Sequence, residues 1–308
     1  MVERLALGVI PAAGWRASEV RSVAREAEEA GFEAIFNTEV NSDSLATAQL
    51  MGEATTAIKV GSWVANIYLR HPYLCAKAAS LIADATSGRM ILGLGVSHQP
   101  VNQALGISMA SPIDALRRYT TDVAAWLRGD GPSTHLPQQP APCPVPIYLG
   151  ALTSSTVELA GELADGVMPF LWSTGRVSRG KAWGNRGRGR ASGRGRLEMT
   201  LGLPTFIGDD LPALRAEARA NLGLYTTLPF FQHLLRVSGF TAEAEKAEQG
   251  AGAESLSDVF LNAVCLIGPV PLCRERLAVY REAGLDLPIL MPPIGVESAR
   301  AVIKAFAV

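Results

Sequence analysis

Short apolar runs alternate along the chain with longer stretches in which apolar residues recur three and four positions apart. The first pattern is that of strands covered on both faces and the second that of amphipathic helices. Their alternation is the mark of a parallel sheet built from strand–helix–strand units. "LALGVI" opens the series. Val20, Val23, Ala24, Ala27 and Ala30 then recur at helical spacing, with Ser18 as the expected N-cap and Gly31 as the stop. "FEAIFNTE" is the second strand, followed by "IKVGSWVA", "MILGLGV", "VPIYLGAL", "ELADGVMPFL" and "EMTLGLPTFIG", and "DLPILMPP" completes eight. Between the third and fourth strands Pro72 suits the first turn of a helix, with Leu74, Ala78, Leu81, Ile82 and Ala85 expected on one face. Eight parallel strands with intervening helices favour a closed (β/α)8 TIM barrel over an open doubly wound sheet.

Three segments break the rhythm. Residues 130–145 form a proline-rich loop before the fifth strand. Residues 172–197 and 222–262 read as insertions, the second largely helical and expected to lie over one barrel end. None has the character of an interdomain linker, so the expectation is one domain over residues 1–308.

The composition narrows the function classes. Hydrophobic residues make up 48% and charged residues 19% of the chain, as in a globular protein with a large core, and the net charge of −1 gives no general attraction to nucleic acid or anionic membrane. Cys75, Cys143, Cys265 and Cys273 form no C-x-x-C pair and are expected as reduced thiols, with no metal site. No basic leader precedes an apolar core at the N-terminus, and no apolar run reaches the length of a membrane span. A cytoplasmic enzyme acting on a small molecule is the expectation.

The segment "GLGVSH" (93–98) carries the first candidate chemistry. As a dinucleotide fingerprint it supplies Gly93 and Gly95, with Asp114 near the place of a ribose-binding acid. His98 stands where a third glycine belongs, however, and Pro100 disturbs the helix start. On a barrel the same residues form the rim of the catalytic mouth, where the two glycines would admit a planar ligand and His98 would face it. A capping or packing histidine is the alternative.

Taken together, Arg70 with Pro72, "SGRMILGLG", "YLGALTSSTVELAGELADGV", "AGFEAIFNTE" and "IGPVPLCRERLAVYREAGLDLPIL" resemble the luciferase-like flavin and deazaflavin oxidoreductases over residues 1–170 and 260–295. The resemblance implies a TIM barrel holding coenzyme F420, or alternatively FMN, at its C-terminal mouth. It implies a bulge with a non-proline cis peptide at Trp63–Val64, beside Ser62, as a support for the ring. Gly95 and Ser97 would line the site, and Gly150, Ala151, Leu152 and Thr153 would meet the cofactor phosphate. Thr38 and Glu39 end the second strand where deazaflavin enzymes of the family often carry an Asp-His pair, so the acid–base system is expected to differ. His98 and Glu39 are the catalytic candidates, His98 because imidazole exchanges protons near neutral pH. Glu39 also reads as a polar rim residue and Trp63 as core.

The expected reaction is hydride transfer to or from a small organic substrate. FMN-dependent monooxygenation, a non-catalytic flavin-binding barrel and an RNA-binding barrel are the alternatives. The last rests on "RGKAWGNRGRGRASGRGR" (179–196), an arginine–glycine tract with no acid. It reads as a solvated loop, as a clasp for the anionic tail of F420 at the mouth, or as a site for RNA. Nucleic acid is not the expected partner. A homodimer is an open possibility.

Overall fold

The computed structural model describes residues 3–11, 14–133, 136–191 and 193–307. Its strands are β1 (Ala6–Val9), β2 (Ala34–Asn37), β3 (Lys59–Ser62), β4 (Ala65–Asn66), β5 (Met90–Gly95), β6 (Ile147–Gly150), β7 (Gly166–Met168), β8 (Glu198–Ile207), β9 (Leu266–Gly268) and β10 (Leu287–Met291). All pairings are parallel. The circuit β1–β2–β3–β5–β6–β7–β8–β10 returns to β1, so eight strands close a barrel. Each of these eight contains part of an apolar run read from the sequence. β4 continues the third barrel strand beyond its bulge, and β9 extends the upper end of β8.

The helices are α1 (Ala17–Glu29), α2 (Ser44–Glu53), α3 (Pro72–Ala85), α4 (Gln99–Ala104), α5 (Pro112–Arg128), α6 (Ser154–Leu163), α7 (Thr174–Arg188), α8 (Leu211–Leu222), α9 (Pro229–Val237), α10 (Thr241–Glu248), α11 (Asp258–Val264), α12 (Val270–Glu282) and α13 (Val296–Phe306). The larger core lies between barrel and helices. A smaller one, with Ala6, Phe36, Ile91, Met168, Ile289 and Met291, fills the barrel. At the strand-starting end Arg4 donates to Glu33 at 2.6 and 2.8 Å and to Glu198 at 2.6 Å, and the Tyr148 hydroxyl bonds the other Glu198 oxygen. The hydrogen bond from Arg4 holds the Glu33 carboxyl down to about 2, against the opposing effect of burial. This network closes the barrel floor, leaving the C-terminal end as the open mouth.

Several expectations need correction. The N-cap of α1 is Arg16, and Ser18 lies within the first turn. Pro72 does open α3, but the buried face is Cys75, Ala76, Ala79, Ile82 and Ala83, while Leu74 and Leu81 are exposed. Small residues let α3 approach its neighbours closely, and the bulky leucines are left outside.

The 172–197 segment is not an insertion. It holds the barrel's own α7 and the return to β8. Glycines serve there as a seam: a Cβ on Gly187 would fall 2.0 Å from the Glu158 carbonyl oxygen, and one on Gly161 would fall 2.4 Å from that of Gly184. Four of the arginines pair with acids, and Arg188 donates to the Gly161 and Gly195 carbonyls. Arg186 and Arg190 meet Glu158 at 2.8 Å, Arg190 also meets Glu162, and Arg196 meets Asp286 at 2.7 Å. Asp165, the partner of Arg194, and Asp286 precede β7 and β10 directly. The tract therefore ends at the barrel floor, away from the mouth where a cofactor clasp would have to act. Residues 223–264, by contrast, hold two 3-10 turns with α9, α10 and α11 between α8 and β9, over the stretch 222–262 read as largely helical. They form a cap that meets the mouth.

Candidate active site

The third barrel strand sets the floor of the mouth. The Trp63–Val64 peptide is cis, as the sequence resemblance implies. The Trp63 amide donates to the Asn37 carbonyl at 2.7 Å. Its indole crosses toward β8, where a Cβ on Gly202 would sit 2.4 Å from the ring, and meets Phe170 edge-on at 5.4 Å. Val64 fills the space a side chain at residue 95 would need, since a Gly95 Cβ would lie 2.4 Å from Val64 Cγ2. Gly93 is likewise pressed against the Ser62 carbonyl. These glycines admit the bulge, not a ligand directly. Ser62 is fully buried and staples two strands, donating to the Gly93 carbonyl at 2.8 Å and accepting from the Gly93 amide at 3.1 Å.

The chain leaves β5 through Ser97, a non-glycine residue at φ 58°. Such left-handed residues are uncommon and gather at functional turns. Leu171, just beyond β7, is another, at φ 55°. The turn makes His98 the N-cap residue of α4. Its imidazole stacks on Phe230 of the cap with centroids 4.8 Å apart and planes 2° from parallel, and meets Tyr225 edge-on at 6.1 Å. Tyr225 in turn lies 5.3 Å from Phe170. An aromatic wall thus runs from the base of the mouth at Trp63 to the cap. Burial pushes the His98 pKa down. The neutral ring, able to accept a proton, is the form favoured there.

Glu39 is bound on all sides. One oxygen accepts from the Ser44 amide and hydroxyl and lies 2.5 Å from Arg70, while the other accepts from the Asn66 amide at 2.6 Å. Its side chain is 3% exposed, which leaves no open face for a substrate. Asn66 continues the network to Asn102, whose amide donates to the Val96 carbonyl at 2.9 Å, two residues before His98. Thr38 keeps a buried hydroxyl with no partner.

The loop after β6 runs from Gly150, which faces Val64, through buried Ala151 and half-buried Leu152, to Thr153. Thr153 caps α6 in a reciprocal arrangement with Thr156. Beside this helix start stands Arg176, which the sequence reading missed because it is a lone arginine just ahead of the conspicuous basic tract that begins at Arg179. It is 3% exposed. It donates to the Leu152 carbonyl at 2.7 Å and the Val237 carbonyl at 3.3 Å, and lies over the rings of Trp172 and Trp183. No carboxylate pairs with it among the described residues, and burial, with Arg179 nearby, holds its pKa down to about 10. Its Nε and the Ser238 hydroxyl are buried without partners. The guanidinium thus lies beside the start of α6 with both Nη atoms on carbonyls and one unpartnered Nε donor, and helix starts and guanidinium donors are both groups that favour anions.

The luciferase-like monooxygenase family model matches residues 6–287. The chain belongs to this family. Among its relatives is a Mycobacterium tuberculosis protein named, provisionally, as a coenzyme F420-dependent oxidoreductase. It is 27% identical over 304 residues, covering 86% of this chain and 88% of the relative. The coenzyme F420-dependent tetrahydromethanopterin reductase of Methanopyrus kandleri shares the fold with a TM-score of 0.81 at 17% identity, over 98% of this chain and 97% of its own. EDTA monooxygenase from Chelativorans sp. BNC1 shares it with a TM-score of 0.78 at 13% identity, over 99% and 93% of the two chains. This luciferase-like barrel places His98, Ser97, Gly95, Trp63, Val64, Thr38 and the 150–153 loop at one end. Ser62 lies beneath them as a staple, and Glu39 as a strut.

Proposed function

We propose that this protein is an oxidoreductase that binds coenzyme F420 at the C-terminal mouth and transfers hydride to or from a small organic substrate. The observation that carries the reading is the pairing of an anion cradle, Arg176 with the start of α6, with a neutral histidine set in an aromatic wall at the same barrel end. The 27%-identical mycobacterial relative favours F420. When bound, F420 supplies a two-electron hydride carrier.

The chain's own groups do the rest. Arg176, the Leu152–Thr153 turn and the first amides of α6 hold the phosphate. Trp63 and Val64 support the ring, with Gly95, Ser97 and Thr38 at its edge. Phe170, Tyr225 and Phe230 exclude water, which strengthens polar contacts inside the closed site. An imidazole nitrogen of His98 takes the proton that leaves a substrate hydroxyl, or returns it in the reverse direction. Glu39 holds Arg70 and the Asn66–Asn102 network under that histidine.

FMN-dependent monooxygenation is the second reading, favoured by the description of the family model. Assays with F420 and a panel of small alcohols and ketones should change the deazaflavin absorbance without consuming oxygen. Oxygen consumption with reduced FMN, and none of that change, would support the second reading instead.

Among the described residues all four cysteines are free and no helix is long and apolar enough to cross a membrane, and we assign the protein to the cytoplasm. Exposed Leu69, Leu74 and Leu81 beside and on α3 favour a homodimer through this face, which sedimentation of the wild type and of Leu74→Glu/Leu81→Glu would test.

A further inference from the structure

We propose that Arg176, besides its place beside the phosphate, couples the loop after the fifth barrel strand to cap helix α9, so that filling the cofactor site tightens the cap over His98. The inference rests on the reading of residues 150–153 as the phosphate loop. One guanidinium bonds both sides: Nη2 donates to Leu152 O at 2.7 Å, and Nη1 donates to Val237 O at 3.3 Å, the last carbonyl of α9. The opposite end of the same nine-residue helix carries Phe230, stacked on His98. Loop, cap and proton-transfer residue are thus joined through one side chain and one short helix.

Helix stability does not account for an arginine here. A cation in the first turn of α7 has the wrong sign for the helix dipole, and an apolar side chain would pack against Trp172 and Trp183 without burying a charge. What only arginine supplies is a planar fork of donors able to reach two carbonyls at once. A lysine keeps the charge but offers a single nitrogen. The unpartnered Nε leaves one further donor on the same group for an anion seated at the loop.

Hydrogen exchange on the wild type, Arg176→Lys and Arg176→Met, with thermal melting to confirm folding, tests the coupling. Without ligand, Arg176→Lys should leave most α7 amides as in the wild type. Amides of 150–157 and of 230–240 should exchange faster together, by about tenfold, the scale expected for losing a charge-assisted hydrogen bond. Arg176→Met should do at least as much. With F420 added at concentrations that saturate each protein, shown by titration of each, the wild type should slow exchange in both segments, whereas Arg176→Lys should slow it only in the loop. Acceleration of one segment alone in the ligand-free variants, or full cap protection by F420 in Arg176→Lys, would overturn the proposal. If neither F420 nor FMN alters exchange in the wild type, the cofactor reading fails, and the ligand-free comparison still decides the tether.

Discussion

At the scale of single residues, His98 and Glu39 divide the roles the sequence offered them jointly. His98 stands in the aromatic wall with its pKa lowered by burial, and Glu39 is locked to Arg70, Ser44 and Asn66. His98→Ala should lower turnover by about 10²–10⁴-fold while F420 affinity changes little; steady-state rates beside a binding titration would show this. The lowered pKa also fixes a sign. Between the ordinary histidine value of about 6.5 and the lower folded value, the unfolded chain binds a proton that the folded chain refuses. Stability therefore falls as pH drops through that window, and His98→Gln should flatten the fall in a series of denaturant titrations. For Glu39, the strut reading makes Glu39→Gln costly to folding, by about 1–3 kcal/mol, because it leaves the nearly buried Arg70 with Asp43 as its remaining acid and weakens the contacts to Ser44 and Asn66. Normal stability with turnover abolished would return Glu39 to proton transfer. The histidine was legible because it interrupts an apolar run. The fate of Glu39 was not, since its partners Asn66 and Arg70 come from a separate stretch of chain beyond β3.

At the scale of elements, strands were read more faithfully than helix faces. A strand covered on both sides must be apolar almost throughout, so "MILGLGV" and "DLPILMPP" announce themselves. Helix α3 is apolar on more than one side, and periodicity alone could not tell which side the barrel takes. The arginine–glycine tract misled for a related reason: glycine disfavours helix locally, yet α7 forms because its glycines allow close contact with α6. Gly187→Ala should accordingly lower stability by about 1–3 kcal/mol through overpacking against Glu158, seen as a reduced Tm, with cofactor affinity unchanged because the seam lies toward the barrel floor. The cap was legible as helix from its length and pattern. Its aromatic contacts with His98 were not, because Tyr225 and Phe230 lie over a hundred positions away in sequence.

For the molecule as a whole, ion pairs occur at both barrel ends, and what sets the mouth apart is one buried cation outside them. The floor is closed by the Arg4–Glu33–Glu198–Tyr148 network and the paired arginines of the tract. The mouth has the Arg70–Glu39–Asp43 pairing and, beside it, one buried guanidinium with no acid partner among the described residues, a histidine whose neutral form is favoured and a wall of aromatic rings. Paired charge holds a fold together, while an uncompensated cation beside a helix start awaits an anion. That asymmetry underlies the central claim, that a phosphate-bearing deazaflavin is held at the C-terminal mouth. The most direct test is a pair of equilibrium titrations of the purified protein with F420 and with FMN, followed by ligand fluorescence. F420 should bind saturably at one site per chain, with a Kd at least about tenfold below that for FMN, a difference of about 1.4 kcal/mol. Tighter binding of FMN, or no binding of either, would contradict it.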